Sequence, residues 1–381
     1  MRCREPLQQI LIDTRDYWDH PGTRPAVREN FNRTINCRTP VLGAEIFAST
    51  GEEKLVYHTC KSRACPSCGH RATLLWQREQ WVSLPDIRYA AVALTMPDVL
   101  WSIFQQNRHL LHDLPALGAA VIQQWVKVKF GASALIMVIP HTFGARLNFN
   151  SHLHILVSAE GLKGGDWTKR LYFDRKKLMR MWRFAVITFL REALKAGILR
   201  SNLPPDNLKA LLADEYRWWS VHVDHFQSKE HFLRYAGRYA RRPPIAQHRF
   251  EEITDAMVRF SLKDKRLKMQ VSTEYALADF VALLAEHVPD RYRHAVRYFG
   301  LMAPRSRRRT ATAIFLLLGQ QKRSRPRRLG WAYSIRRDFG VDPLIDSHGQ
   351  PMRWVGRLNP SNNPLAICGY PTTPSCFCRK I

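Results

Sequence analysis

The sequence has no long apolar run. None of its 381 residues lies in an uninterrupted apolar segment of membrane-spanning length, and no charged stretch followed by an apolar one opens the chain. A membrane-spanning helix needs about 20 apolar residues in succession, and a secretory signal needs both of those parts. We therefore expect neither a membrane partner nor secretion.

Acidic residues are scarce relative to basic ones. The chain has 32 Asp and Glu residues against 59 Lys and Arg residues, which gives a formal net charge of +27. Such an excess of positive charge attracts polyanions over long distances. Nucleic acid is therefore the expected partner, and we expect a cytoplasmic, nucleoid-associated location.

Cysteines are few, and several of them are clustered. The chain has eight, and without a secretion signal a disulfide framework is not expected. Cys60, Cys65 and Cys68 fall within nine residues, and the Cys65-Pro-Ser-Cys68-Gly sequence has the form of a zinc knuckle. This spacing predicts a structural Zn²⁺ site, with a group of reduced core cysteines as the alternative.

A closed zinc site needs a fourth ligand. Cys37 is the best candidate, and His58 or His70 would substitute if Cys37 lay elsewhere. A second zinc site is not expected, because only three further thiols lie close together. They are Cys368, Cys376 and Cys378.

The pattern of apolar residues indicates a mixed fold. Hydrophobic residues make up 45% of the chain, enough for a substantial core. Predicted strands are 88–95, 134–139, 152–158 and 217–223, with a fifth around 258–262. Predicted helices are 99–112, 116–129, 175–196, 229–242 and 274–287. Without a steady β-α-β alternation, we expect an α+β domain with a mainly antiparallel sheet flanked by helices.

These patterns divide the chain into three parts. We predict a small N-terminal zinc-binding module over 1–85, an α+β domain over 86–300 and a basic C-terminal region over 301–381. No acidic residue occurs between Leu301 and Gly330, where basic residues surround the apolar stretch 314–318. The alternative is a solvated charge run, but we expect a basic groove along a phosphate backbone. Its residues are Arg305, Arg307, Arg308, Arg309, Lys322, Arg323, Arg325, Arg327 and Arg328.

Two histidines occupy one predicted strand, in the sequence His152-Leu-His154-Ile-Leu-Val. Because side chains alternate along a strand, both imidazoles face one way and the intervening apolar residues face the other. The pair could hold a divalent cation, or it could simply form local hydrogen bonds. Candidates for a third ligand are His141, Asp224, Gln227 and His231.

Two tyrosines lie four residues apart near the end of a predicted helix. Tyr235 and Tyr239 would share one face, about 6 Å apart, before Pro243 and Pro244 end the helix. Such a pair usually belongs to a packing stripe. Basic residues surround it, however, and we assign them to DNA binding: Arg234, Arg238, Arg241 and Arg242.

The tyrosines and the histidines suggest a common chemistry. A phenol is a poor nucleophile because its pKa is about 10, but nearby cations favour its ionised form. A divalent metal on a scissile phosphate would make the phosphorus more electrophilic. A tyrosine could then attack it, and the covalent phosphotyrosine would conserve the bond energy for rejoining.

Three motifs, taken in order, resemble a known family. They are Ala91-Val-Ala-Leu-Thr-Met-Pro97, the stretch from His141-Thr-Phe-Gly to His152-Leu-His154-Ile-Leu-Val157, and Tyr235-Ala-Gly-Arg-Tyr239-Ala-Arg-Arg-Pro-Pro-Ile245. Together with the cysteine module and the 292–301 segment, they resemble transposases of the insertion-sequence ninety-one family. These are HUH endonucleases, named for paired histidines around a hydrophobic residue.

The resemblance implies a rolling-circle-like transposase that nicks and rejoins single-stranded DNA at transposon ends and target through a 5'-phosphotyrosine intermediate. It implies Mg²⁺ or Mn²⁺ on His152 and His154, with Tyr235 and Tyr239 as the catalytic tyrosines. The family fold is an antiparallel palm with the histidines on a central strand and the tyrosines on an adjacent helix. Two alternatives are a catalytically inactive DNA-binding protein of the same fold and a plasmid or phage rolling-circle replication initiator.

Overall fold

The computed structural model describes residues 5–213, 219–264, 267–324 and 330–360. The chain forms two compact units. The first combines residues up to 74 with 242–290 and the residues from 326 on, and the second combines 75–241 with 291–325. The thiols Cys368, Cys376 and Cys378 lie outside the described residues. The three-part division made from the sequence stays a prediction about domains.

Strands and helices alternate irregularly along the chain. The strands are β1 (Ala44–Ala48), β2 (Glu53–Tyr57), β3 (Tyr89–Leu94), β4 (Ser133–Phe143), β5 (Phe149–Lys163), β6 (Asp166–Thr168), β7 (Val221–Phe226), β8 (Phe250–Ile253), β9 (Met257–Lys263), β10 (Gln270–Ala276), β11 (Arg297–Gly300) and β12 (Arg353–Leu358). The helices are α1 (Pro6–Asp13), α2 (Arg15–Trp18), α3 (Pro25–Ile35), α4 (Pro66–Ser83), α5 (Trp101–Gln106), α6 (Leu114–Phe130), α7 (Arg175–Lys195), α8 (Pro205–Ala213), α9 (Lys229–Gly237), α10 (Leu277–Glu286), α11 (Pro304–Leu317) and α12 (Trp331–Phe339).

The second unit is built on one antiparallel sheet. Its strand order is β11-β4-β5-β3-β7, and the short strand β6 pairs with the far end of β5. The long strand β5 therefore lies in the middle of the sheet. This arrangement confirms the predicted α+β class with a mainly antiparallel, palm-like sheet.

Helices cover both faces of this sheet. Leu153, Ile155 and Val157 of β5 are buried in the larger core, which α5, α6 and α7 cover. On the opposite face, Leu156 packs in a second core with Phe232 of α9. The alternation predicted for residues 152–158 is therefore present, because its two sets of side chains enter two different cores.

Several predicted elements differ from the observed ones. The helix predicted over 99–112 is interrupted at Asn107, whose buried amide donates to the Arg200 carbonyl at 2.6 Å and accepts from the Arg200 N–H at 2.7 Å. The helix predicted over 229–242 ends at Gly237, followed by a turn. The strand predicted over 217–223 lies instead at Val221–Phe226, and 214–218 are outside the described residues.

The first unit contains two smaller sheets, with strand orders β12-β1-β2 and β10-β9-β8. The strand expected around 258–262 is β9, which belongs to the second of these sheets and not to the palm-like sheet. The helix predicted to start at Glu274 starts at Leu277 instead, because 270–276 pair with β9 as β10. No helix within the described ranges is long and apolar enough to cross a membrane.

Ile155 tests the core beneath the histidine face. Its side chain is fully buried, so we expect Ile155→Ala to lower the free energy of unfolding by about 3 kcal/mol through lost burial and a residual cavity. The matched control is Val128→Ala, because Val128 is 80% exposed and its truncation should cost under about 0.5 kcal/mol. Urea denaturation of both variants measures the difference, and equal losses would contradict this assignment of the core.

Candidate functional site

Four cysteine thiols converge in the first unit. Cys37, Cys60, Cys65 and Cys68 all lie within 4.8 Å of one another at their sulfur atoms. The Cys37 and Cys68 sulfurs are 3.7 Å apart, and those of Cys60 and Cys68 are 3.6 Å apart. Four sulfurs at about 2.3 Å from a tetrahedral Zn²⁺ would be about 3.8 Å apart. The spacing therefore fits one closed zinc site.

Local structure brings these thiols together from separate segments. Cys37 follows the end of α3, where the buried Gln8 amide donates to the Cys37 carbonyl at 2.8 Å. Cys65 and Cys68 lie at the start of α4, whose N-terminal dipole favours thiolate charge. Cys60 lies between Cys37 and Cys65 in the sequence, after β2. The zinc-knuckle spacing therefore coincides with a helix start.

The thiols perturb one another strongly. Hydrogen bonds with the other three thiols, together with burial, raise the pKa of Cys65 far above its usual range. Four thiolates would repel one another at these distances, and a dication removes that repulsion. Of the two substitute ligands considered from the sequence, His58 contacts Glu45 at 3.2 Å and the Leu42 carbonyl at 2.9 Å, while His70 is exposed. Neither belongs to the thiol cluster.

Three histidines converge in the second unit. His141 of β4 lies directly opposite His152 of β5, and one nitrogen from each of His141, His152 and His154 lies within 4.8 Å of the others. The Nε2 atoms of His152 and His154 are 3.1 Å apart. Two neighbouring ligands of an octahedral ion at about 2.1 Å would be about 3.0 Å apart. The three imidazoles are therefore spaced as ligands of a single ion.

Backbone carbonyls orient two of these rings. His152 Nδ1 lies 2.8 Å from the Asn150 carbonyl oxygen, and His141 Nε2 lies 2.9 Å from the Tyr239 carbonyl oxygen. Because a carbonyl only accepts, each of these nitrogens carries the proton, and in the neutral ring the other nitrogen keeps its lone pair. Metal-binding histidines typically have such a partner on the second nitrogen. The ring tautomers therefore fit metal binding.

The structure distinguishes among the candidates for a third ligand. His141 joins the histidine pair, whereas Asp224 accepts a hydrogen bond from His222 at 3.0 Å and His231 is exposed. Neither Asp224 nor His231 belongs to the described cluster, and Gln227 stays a candidate. The register of β4 with β5 places His141 opposite His152, and local sequence patterns do not fix that register.

Tyr239 lies against the histidines, and Tyr235 lies beside Tyr239. The Tyr239 ring stacks on His154 with a centroid separation of 3.8 Å, and Tyr235 lies 5.0 Å from Tyr239. Tyr235 is on α9, but Tyr239 is in the turn after it. Burial, followed by the proximity of Tyr239, raises the pKa of the Tyr235 phenol well above its usual range. The two tyrosine rings therefore stay close to each other although the helix ends between them.

The basic residues around the tyrosines play different structural roles. The Arg238 guanidinium lies over the Tyr235 ring at 4.7 Å and over the Tyr239 ring at 6.0 Å. Arg234 instead pairs with Glu230 at 3.0 Å. Arg241 and Arg242 are exposed, and Arg242 falls in the first unit. Arg238 is thus the arginine in contact with both phenols.

Comparison with known proteins identifies the family. Residues 10–96 match the family described as "Transposase zinc-binding domain", and residues 135–310 match "Putative transposase". The transposase for insertion sequence element IS801 of Pseudomonas savastanoi pv. phaseolicola is 31% identical over 320 residues, covering 79% of this chain and 77% of that protein. The chain belongs to the IS91 family of transposases.

A second relative supports membership of this family. "Putative transposase y4qJ" of Sinorhizobium fredii (strain NBRC 101917 / NGR234) is 28% identical to this chain over 323 residues, which cover 79% of this chain and 80% of the relative. No solved structure matches the chain significantly. The resemblance noted from the sequence motifs is confirmed.

Family membership gives the two sites a context. The four thiols lie within the segment that matches the zinc-binding domain, and this supports a structural zinc. The histidines and tyrosines lie within the segment that matches the transposase family. Because transposases cleave DNA and transfer its strands, DNA is the substrate of this IS91-family enzyme.

Cys65 tests the zinc site. We expect the purified native chain to contain about one zinc per chain and Cys65→Ser to lose it, because a closed tetrahedral site needs all four ligands. Losing the metal should lower the melting temperature by roughly 5 to 10 °C. Ser67→Ala, which changes a neighbouring residue that offers no thiol, should retain the zinc. Metal analysis and thermal melts measure both effects, and full zinc occupancy in Cys65→Ser would contradict the site.

Proposed function

We propose that this transposase nicks and rejoins single-stranded DNA through a 5'-phosphotyrosine intermediate, with a divalent metal on His141, His152 and His154. The observation that carries the proposal is the stacking of Tyr239 on His154 at 3.8 Å. It puts a candidate nucleophile against a candidate metal ligand. Rolling-circle-like transposition is the process that this chemistry would serve.

The three histidines suit a first-row divalent ion. Neutral imidazole is a softer ligand than carboxylate, so this donor set favours Mn²⁺ over Mg²⁺. When bound, the ion would neutralise charge on the scissile phosphate and make its phosphorus more electrophilic. The protein contributes rigidity, because two of the three ligands lie on one central strand and the third lies directly opposite on its neighbour.

Tyr239 is the better placed of the two nucleophiles for the first step. Its hydroxyl oxygen would attack the phosphorus, the bond from phosphorus to the 3' oxygen would break, and the phenolic proton would end on the departing 3' hydroxyl. The Arg238 guanidinium, 6.0 Å from the Tyr239 ring, adds positive charge next to this nucleophile. The reverse reaction by another 3' hydroxyl would rejoin the strand without ATP.

Tyr235 would act in a second step. It lies 5.0 Å from Tyr239, and burial raises the pKa of its phenol, which disfavours the phenolate in the free enzyme. With Tyr239 already esterified, Tyr235 could attack a second strand at the same centre. Two adjacent tyrosines would in this way hold two DNA strands in turn.

A covalent adduct assay tests the proposal. With Mn²⁺ and labelled single-stranded oligonucleotides from element ends, we expect an adduct that survives boiling in detergent. Tyr239→Phe should reduce its rate at least about a hundredfold, because it removes the attacking oxygen, while Tyr235→Phe should reduce it less than about tenfold. Absence of any adduct in the native enzyme, across candidate ends, would favour an inactive DNA-binding protein of this fold.

The Mn²⁺ requirement tests His141 as the third ligand. His141→Ala should raise the Mn²⁺ concentration for half-maximal adduct formation by roughly 10- to 100-fold, since it removes one of three ligands. Asp224→Asn and His231→Ala are matched controls, because both residues lie outside the histidine cluster. If either control changed the Mn²⁺ requirement while His141→Ala did not, the assignment of His141 would be wrong.

A further inference from the structure

We propose that the hairpin between β5 and β6 carries a second binding cleft for single-stranded DNA, separate from the histidine and tyrosine site. The proposal rests on the single-stranded substrate proposed above. It assigns a role to a basic surface that lies far along the same sheet. Four features of the second unit support it.

The first feature is the charge of the cleft. A cleft of about 610 Å³ is lined by Lys163, Lys169, Arg170 and Trp167, with Asp166 as its carboxylate. The three cationic side chains are exposed. None of them forms an ion pair with another residue in the part of the chain that the structure describes. Their charge is therefore available to a polyanion.

The second feature is an ordered aromatic ring. The Trp167 indole Nε1 donates to the buried Glu160 carboxylate at 2.9 Å, and Arg88 donates to the same carboxylate at 3.2 Å. The ring is only partly buried, so part of it faces the cleft. An unpaired base can stack on a fixed aromatic ring while nearby cationic side chains neutralise the phosphates of the same strand. This favours a single strand over a duplex, in which the bases are already stacked.

The third feature is a neighbouring basic helix. α11 lies against β6, and its exposed arginines come from the acid-free stretch seen in the sequence. Arg307 donates to the Ser83 hydroxyl at 2.8 Å, which orders one of them. These arginines extend the positive potential beside the cleft. They are Arg305, Arg307, Arg308 and Arg309.

The fourth feature is the distance from the histidines. His154 pairs with Ile139 of β4, and Leu162, which pairs with Trp167, also pairs with Ser133. At about 3.4 Å per residue, the six steps along β4 separate the two places by about 20 Å. A stacked strand advances about 3.4 Å per nucleotide, so a stacked strand needs about six nucleotides to reach both. Short oligonucleotides should therefore occupy only one of the two sites.

Oligonucleotide length makes the test specific. We expect Lys169→Gln with Arg170→Gln to weaken binding of the full chain to a single strand of about 25 nucleotides roughly tenfold at moderate salt, and to lower the salt slope by about 1.4. Adduct formation on a strand of about five nucleotides with the nick at its centre should be unchanged, because the roughly two or three stacked nucleotides on either side of the nick span well under the distance to the cleft. Fluorescence anisotropy over a salt series measures the binding.

A charge-matched variant is the control. Lys195→Gln with Lys209→Gln also removes two positive charges, from lysines on α7 and α8 that pair with nearby carboxylates. It should weaken long-strand binding less than about threefold. Equal weakening by the two double variants would overturn the proposal, since bulk charge would then explain the effect. A loss confined to duplex binding would overturn it as well.

Trp167 provides an independent readout of stacking. Trp167→Phe keeps an aromatic ring, and Trp167→Leu keeps apolar volume only. We expect the Leu variant to bind the long strand about tenfold more weakly than the Phe variant at equal melting temperature. Equal affinities would overturn the stacking role. If the native chain bound the long strand through this cleft but formed no adduct, the proposed nicking would be wrong and the proposed cleft would still hold. The two proposals can therefore fail separately.

Discussion

The pairing of β4 with β5 is the constraint on which the candidate site depends. His141 and His152 are direct partners in this antiparallel ladder, and His154 is the next residue on the same face of β5. A slip of one residue would turn the β5 imidazoles toward the opposite core and remove the cluster. The apolar residues that alternate with these histidines oppose such a slip, because Leu153 and Ile155 would then have to leave the larger core in which they are buried.

The tyrosines depend on the same sheet through a second set of contacts. The Tyr239 carbonyl accepts from His141, so the turn that carries one phenol also orients one imidazole. α9 begins at the buried Lys229, whose ammonium group donates to the carbonyls of Trp81 and Leu84 at 3.0 Å and pairs with Asp86 at 2.7 Å. The position of the tyrosine pair is therefore set by both ends of α9.

The zinc-binding region obeys a different constraint. Its thiols come from three separate segments, and the end of α3, the residues after β2 and the start of α4 meet at the four sulfurs. Mutual repulsion among thiolates makes this convergence unfavourable without a cation. Metal binding and local folding are coupled in such sites, so a zinc ion here would stabilise the fold of the segment that matches the transposase zinc-binding domain.

Short-range periodicity accounts for what the sequence by itself determined. The alternation along β5 places His152 and His154 on one face of the strand. The i, i+4 spacing brings the rings of Tyr235 and Tyr239 to 5.0 Å from each other, and the spacing of Cys65 and Cys68 is typical of a zinc knuckle. Each of these depends on residues within about one helical turn or one strand, where backbone geometry decides which side chains meet.

Only the tertiary structure decided the rest, because the remaining choices depend on contacts between residues far apart in the chain. His141 was one of four possible ligands until the strand register placed it opposite His152. The predicted strand near residue 258 pairs in a sheet other than the palm-like one, and Asn107 ends a helix through Arg200, 93 residues away. Local propensity carries no information about such partners, so register and long-range hydrogen bonds had to supply it.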